Sequence, residues 1–140
     1  MKNINLKILL SVFVFISFMA CGQKESSKQG ETDDQAVISL ISPEDLSKIK
    51  KDAQLIDVRQ PREFASGHLE NAVNMNLYAR DFEKQLMTLD KNKEVYLYCL
   101  SGIRSANAAR KLKKMGFVKV YDLQGGLSNW NNQQYPITKD

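Results

Sequence analysis

From residue 36 onward, short apolar runs rich in β-branched residues alternate with segments that read as helices, and this alternation is what most restricts the fold. Residues 36–40 form a first such run. Ser42-Pro43-Glu44-Asp45 then supplies an N-cap, a proline at the first helical position and acids in the first turn, and Leu46, Ile49 and Lys50 continue a short amphipathic helix. Residues 54–58 predict a second strand, with Asp57 at its C-terminal end. Pro61 opens one helical turn over 61–65, closed by Gly67, and residues 72–75 predict a short strand. Over 79–89, Phe82, Leu86 and Leu89 fall at helical spacing with charges between them. A strand over 94–98 and a helix over 106–115 follow. The helix ends with Gly116 at the left-handed C′ position and Phe117 placed to pack on Leu112. Residues 118–121 predict the last strand, and Gly125-Gly126 leads into a final turn carrying Trp130. Alternating βα units imply an α/β fold with a central parallel sheet and helices on both faces. Such sheets bind ligands at the carboxyl ends of their strands, where Asp57 and Cys99 both fall.

The stretch between the fourth strand and its helix, Cys99-Leu100-Ser101-Gly102-Ile103-Arg104, carries the chemistry. A cysteine on a tight loop before a helix start meets successive inward-pointing backbone N–H groups, which favour an anion and draw the thiol toward thiolate. Gly102 lets the backbone turn inward without a clashing Cβ. Arg104 has two readings: it orients an anionic donor through charge-assisted hydrogen bonds, or it pairs with an acid and braces the loop. Asp57, Arg59 and Glu63 read as structural support, Arg59 pairing with Glu63 to fix the turn after the second strand. His68, the only histidine, follows Gly67 at a turn and reads as a structural hydrogen-bonding residue. With no second histidine and no further cysteine there, neither a metal site nor a cofactor is expected in the domain.

Residues 1–21 read as a signal peptide with a lipobox-like end. Lys2 and Lys7 precede an apolar run over 8–19, which is shorter than the about 20 residues of a membrane-spanning helix and suits a signal-peptide core. The run ends Phe18-Met19-Ala20-Cys21-Gly22, which resembles a bacterial lipobox. Lipidation of Cys21 is the expectation, with an ordinary cleaved signal or an uncleaved anchor as the alternative. Residues 22–35 hold no aliphatic or aromatic residue, are rich in Ser, Gln, Gly and charge, and read as a flexible tether. The domain then spans 36–140, exported and held at a membrane, facing the periplasm or the cell exterior. A lipidated Cys21 leaves Cys99 as the single thiol, so no disulfide framework exists. The net charge of +4 includes two lysines of the signal; without them 18 basic residues face 16 acidic ones. Nucleic-acid binding gains no support, since Arg110, Lys111, Lys113 and Lys114 suit the C-terminal end of a helix.

In this order, several short motifs resemble the rhodanese (thiosulfate sulfurtransferase) family: Asp57-Val58-Arg59, Glu63-Phe64, Gly67-His68-Leu69 and Ala72-Val73-Asn74, then the loop from Tyr98 to Ser105, then Gly116-Phe117, Val120-Tyr121, Leu123, Gly125-Gly126 and Trp130. The likeness covers essentially the whole folded domain. It implies a rhodanese-like fold, a catalytic Cys99, and a substrate site built from Leu100, Ser101, Gly102, Ile103 and Arg104. The implied reaction moves a sulfane sulfur from a small sulfur-containing anion, through a Cys99 persulfide, to cyanide or a thiol, in a protein expected to act as a monomer. Leu100 and Ile103 stand where many relatives have a basic and a polar residue, which leaves the pocket less cationic. Four residues separate Cys99 from Arg104, a loop shorter than the C-x5-R cradle of cysteine phosphatases, which disfavours a phosphatase or arsenate reductase. A sulfur carrier or binding module without turnover is the other reading.

Overall fold

The computed structural model describes residues 37–139. The expected signal, lipobox and tether lie outside them. Five strands, β1 (Val37–Ile41), β2 (Gln54–Asp57), β3 (Val73–Asn74), β4 (Val95–Tyr98) and β5 (Lys119–Leu123), form one sheet in the order β1-β5-β4-β2-β3, with every pairing parallel. The helices are α1 (Pro43–Leu46), α2 (Pro61–Ser66), α3 (Phe82–Leu86), α4 (Ile103–Lys114) and α5 (Gly126–Asn132). β4 sits at the centre of the sheet with all four residues buried.

Alternation along the strands divides the core in two. Ile56, Val95, Leu97 and Val120 project to the face covered by Phe82 and Leu86 of α3 and by Ala108, Ala109 and Leu112 of α4. Leu55, Tyr96, Tyr98 and Leu123 project to the other face, against Leu46 of α1 and Leu127 and Trp130 of α5. The parallel sheet with helices on both faces is therefore as expected.

Local signals set several boundaries as read. Ser42 caps α1 by accepting the Asp45 N–H at 3.1 Å, with Pro43 at the first helical position. α4 ends in a Schellman motif: Gly116 has φ 84°, the Gly116 N–H donates to the Lys113 carbonyl at 3.1 Å, and the Phe117 N–H to that of Leu112 at 3.2 Å. Other boundaries moved. α1 does not continue through Ile49; the Lys48 and Ile49 N–H groups reach back only three residues, to Asp45 and Leu46, so the chain tightens out of the helix. The expected helix over 79–89 is regular only at Phe82–Leu86, with three-residue turns on both sides. The Phe82 N–H reaches Ala79 and the Leu89 N–H reaches Leu86. α4 starts at Ile103 rather than 106, and β5 runs on to Leu123.

Candidate active site

Cys99 follows the buried strand β4 directly and is itself 1% exposed. The loop after it closes at Gly102, the N-cap of α4, whose φ of 95° belongs to the left-handed region that glycine tolerates. The loop wraps its donors around the sulfur. The Gly102 N–H donates to Cys99 Sγ at 3.1 Å, and the Ser105 hydroxyl lies 3.6 Å from the same atom. Burial opposes ionisation of the thiol, yet the N–H and hydroxyl of Ser105 and the N–H groups of Ser101 and Gly102 outweigh it and lower its pKa from the usual cysteine value. The donors that face the sulfur include the N–H groups of Ser101 and Gly102 and the N–H and hydroxyl of Ser105. Shielding from water strengthens each of these dipoles.

α5 holds the loop from behind. The Leu127 N–H donates to the Cys99 carbonyl at 2.8 Å and the Ser128 N–H to that of Leu100 at 2.9 Å. The contact is so close that a Cβ on Gly126 would lie 2.5 Å from the Cys99 carbonyl oxygen and 2.7 Å from backbone atoms of Leu100. This is the physical reason for the second glycine of Gly125-Gly126: only a residue without a side chain lets the α5 N-terminus dock on the cysteine loop.

Arg104 turns to Glu63. The pair is bidentate, Nη1 to Oε2 and Nη2 to Oε1 both at 2.7 Å, and it ties α4 to α2. Arg104 therefore braces the loop, and Glu63 is its partner rather than that of Arg59. Arg59 instead lies in a separate buried cluster with Asp57, its Nε 2.9 Å and its Nη2 2.6 Å from Asp57 Oδ2, while Nη2 also donates to the Gly67 carbonyl at 2.7 Å. Asn74 closes this cluster by donating to the carbonyls of Asp57 and Arg59 at 3.0 and 2.9 Å. His68 stacks on Phe64 with ring centroids 3.7 Å apart, and its Nδ1 sits 3.0 Å from the Phe64 carbonyl, so it serves the end of α2 as a structural residue. Leu100 and Ile103 point outward, 46% and 73% exposed, and give the mouth of the loop an apolar rim.

The Arg104 guanidinium holds Glu63 down to about 2. Because the folded value is below the ordinary carboxylate value of 4.5, the pair stabilises the fold above that pH, and the contribution is lost as pH falls from 4.5 toward about 2. Glu63→Gln is expected to cost about 0.5–1 kcal/mol at neutral pH, the partial exposure of both groups limiting the effect. Thermal unfolding of both proteins from pH 7 to pH 2 checks this: the gap should close in acid, and a gap independent of pH would refute the assignment.

A model of the Rhodanese-like domain family matches residues 42–133. The chain belongs to the rhodanese-like family. It is 37% identical over 91 residues to the putative sulfurtransferase YtwF of Bacillus subtilis, covering 64% of this chain and 85% of that one. It is 35% identical over 81 residues to the thiosulfate sulfurtransferase GlpE of Shewanella oneidensis, covering 58% and 78%. It also matches a tRNA uridine(34) hydroxylase of Aster yellows witches'-broom phytoplasma at 41% over 94 residues, but spans only 30% of that protein. The crystal structure of a rhodanese-related protein from Thermoplasma volcanium superimposes with a TM-score of 0.65 at 27% identity, covering 73% of this chain and 99% of that one. The sulfurtransferase-named relatives of this rhodanese-like chain support a role in sulfur transfer.

Two contributors to the site escape the sequence reading. Ser105 lies 3.6 Å from the sulfur in the first turn of α4; the loop motif from Tyr98 to Ser105 includes it without giving it a role. Gly126 belonged to a motif whose purpose, contact with the loop, shows only in three dimensions.

Proposed function

We propose that the protein is a sulfurtransferase that carries a sulfane sulfur on Cys99. The observation behind this reading is the convergence of Ser101, Gly102 and Ser105 on a thiol whose pKa they lower. The Cys99 thiolate attacks the outer sulfur of the donor. With thiosulfate, the S–S bond breaks, sulfite leaves with its electron pair, and Cys99 becomes a persulfide anion. An acceptor such as cyanide or a thiolate then takes the outer sulfur and returns the Cys99 thiolate, giving thiocyanate or a new persulfide. This is a two-step, ping-pong exchange in which no external oxidant or reductant is consumed. The donors that held the thiolate hold the persulfide anion in turn.

The donor class follows from charge. Arg104 is engaged by Glu63 and the rim residues Leu100 and Ile103 are apolar, so the mouth offers little to attract a dianion. Small organic persulfides, which carry a single charge on the sulfur, suit it better than the dianions thiosulfate and inorganic polysulfide. Intact mass of the full chain, reduced and then treated with each donor, tests the reading. A gain of one sulfur atom that cyanide removes supports it, with faster loading from an organic persulfide than from thiosulfate. No gain from either donor refutes sulfur transfer, and a persulfide that neither cyanide nor small thiols discharge turns the assignment to a carrier serving a dedicated partner.

We further propose that the domain works at a membrane, exported by residues 1–21 and anchored through lipid on Cys21, with residues 22–35 as tether. The reading rests on the apolar run ending in Ala20-Cys21. Cys21→Ala should move the protein from the membrane to the soluble fraction in the cells that make it; an unchanged distribution would discard the anchor.

A further inference from the structure

The sheet ends on β1, and among the described residues no strand pairs with its outer side. Natural sheets blunt such an edge with a charge, a proline, a bulge or a very short strand. β3, the opposite edge, is two residues long. β1 has five residues, Val37-Ile38-Ser39-Leu40-Ile41, none of them charged and none a proline, and its one-to-one register with β5 leaves no bulge. Val37, Ile38 and Leu40 are 53%, 38% and 68% exposed. The backbone of β1 divides by alternation. The Val37 N–H donates to the Val118 carbonyl at 3.2 Å and the Ile41 carbonyl accepts the Gln124 N–H at 2.9 Å, so residues 37, 39 and 41 turn their polar groups to β5. Those of Ile38 and Leu40 therefore point outward from the edge.

We propose that β1 pairs antiparallel with β1 of a second copy of this chain, about a twofold axis through Ser39, in place of the monomer that the family resemblance implies. What commits the edge to this occupant is that β1 is complementary to itself. With Ser39 opposite its own copy, Ile38 stands opposite Leu40 and Val37 opposite Ile41, so every aliphatic side chain meets another. The backbone selects the same register. Ile38 and Leu40 carry the outward-pointing groups, and each Ile38–Leu40 pair exchanges both of its N–H···O=C bonds. A slip of one residue sets these groups against inward-facing ones, and a slip of two sets Ser39 against Val37 or Ile41. Ile38 lies in register with Val120 and Leu40 with Asp122, so both copies' Ile38 and Leu40 gather on one face of the joined sheet as an apolar cluster. The contact is isologous and closes on itself. The two halves of the joined sheet run in opposite directions, so the Cys99 loops, at the carboxyl ends of the parallel strands, open at opposite ends. One strand from each copy makes a small interface, at the weak end of the specific ones.

Disulfide trapping on the full chain in mild detergent tests the register. In a non-hydrogen-bonded antiparallel pair the two Cα atoms lie about 4.5 Å apart, within the span of a disulfide. Ser39→Cys should therefore give covalent dimer on oxidation, roughly tenfold above the parent chain, whose own Cys21 and Cys99 set the background. Val37→Cys is at least as accessible, but its two sulfurs would lie about 14 Å apart and should stay at background. A second measurement needs no new cysteine. The two Leu40 side chains lie diagonally on one face, about 7–8 Å apart and within reach of long side chains. Leu40→Lys and Leu40→Glu should each be monomeric in sedimentation velocity, and an equal mixture of the two should form dimer. Leu40 is exposed in the single copy, so neither charge disturbs the fold, and this comparison stands even where Ser39→Cys fails to fold. Ser39→Cys dimer no more abundant than the parent's overturns the proposal. So does Val37→Cys dimer as abundant as that of Ser39→Cys, or a Lys/Glu mixture no more dimeric than either variant alone. Neither readout involves sulfur loading, so failure of the proposed function would leave both unchanged.

Discussion

Cys99→Ser should yield a folded protein that takes up no sulfur from any donor and turns over at background. The substitution removes the single atom the chemistry needs while leaving its setting in place. A serine hydroxyl does not ionise near neutral pH, and an alkoxide is too hard a base to hold a sulfane sulfur, so neither step of the exchange has a nucleophile. The fold has little reason to object. Cys99 is buried in the cluster formed by Ile56, Val58, Leu97 and Ala108, but the serine is no larger, and the Gly102 N–H and Ser105 hydroxyl that face the sulfur can bond an oxygen instead. A melting temperature within a few degrees of wild type, with no mass gain after polysulfide treatment, is the expected pair of results. Sulfur transfer to cyanide at the wild-type rate in a folded Cys99→Ser protein would mean that the loop is not the acceptor, and the reading built on it would fall.

Sequence and structure agree where the governing interactions are local. The N-cap at Ser42, the proline start of α2 and the Gly116-Phe117 ending of α4 are each settled within a few residues, and each was legible. The parallel sheet was legible too, because buried strands at regular intervals separated by helices leave few other arrangements. Side-chain partners were harder. From sequence, Arg59 reads as a partner for Glu63, fixing the turn after the second strand. The chain around Arg59 is extended, and in extended backbone the residue two positions away, Asp57, shares its face. Glu63 was then free for Arg104, 41 positions distant and out of reach of any local argument. Placing the start of α4 three residues late left Ser105 in an undefined loop. Ending β5 at residue 121 likewise kept Asp122 from being seen as a core position.

The Asp57–Arg59 pair sets up the second large effect. Asp57 is 0% and Arg59 3% exposed, and the guanidinium spends its donors on both carboxylate oxygens and on the Gly67 carbonyl. Arg59→Met keeps much of the side-chain volume but strands the Asp57 carboxylate in the core and leaves the Gly67 carbonyl without this donor. Breaking a buried pair from one side costs about 3–5 kcal/mol, a large share of the stability of a domain this size. Arg59→Lys should recover only part of that loss, since an ammonium cannot span both carboxylate oxygens and the carbonyl at once. The informative comparison is Asp57→Leu/Arg59→Met, which removes both charges and should be markedly more stable than Arg59→Met alone. Denaturant unfolding of the three variants decides it. If the double variant is as unstable as Arg59→Met or worse, the cost lies in lost hydrogen bonds to Gly67 and the Arg59 backbone rather than in the stranded charge. Alkylation of Cys99 supplies the functional counterpart: it should proceed at the wild-type rate in every variant that remains folded, because this cluster packs against Tyr98 on the opposite face of the sheet from α4.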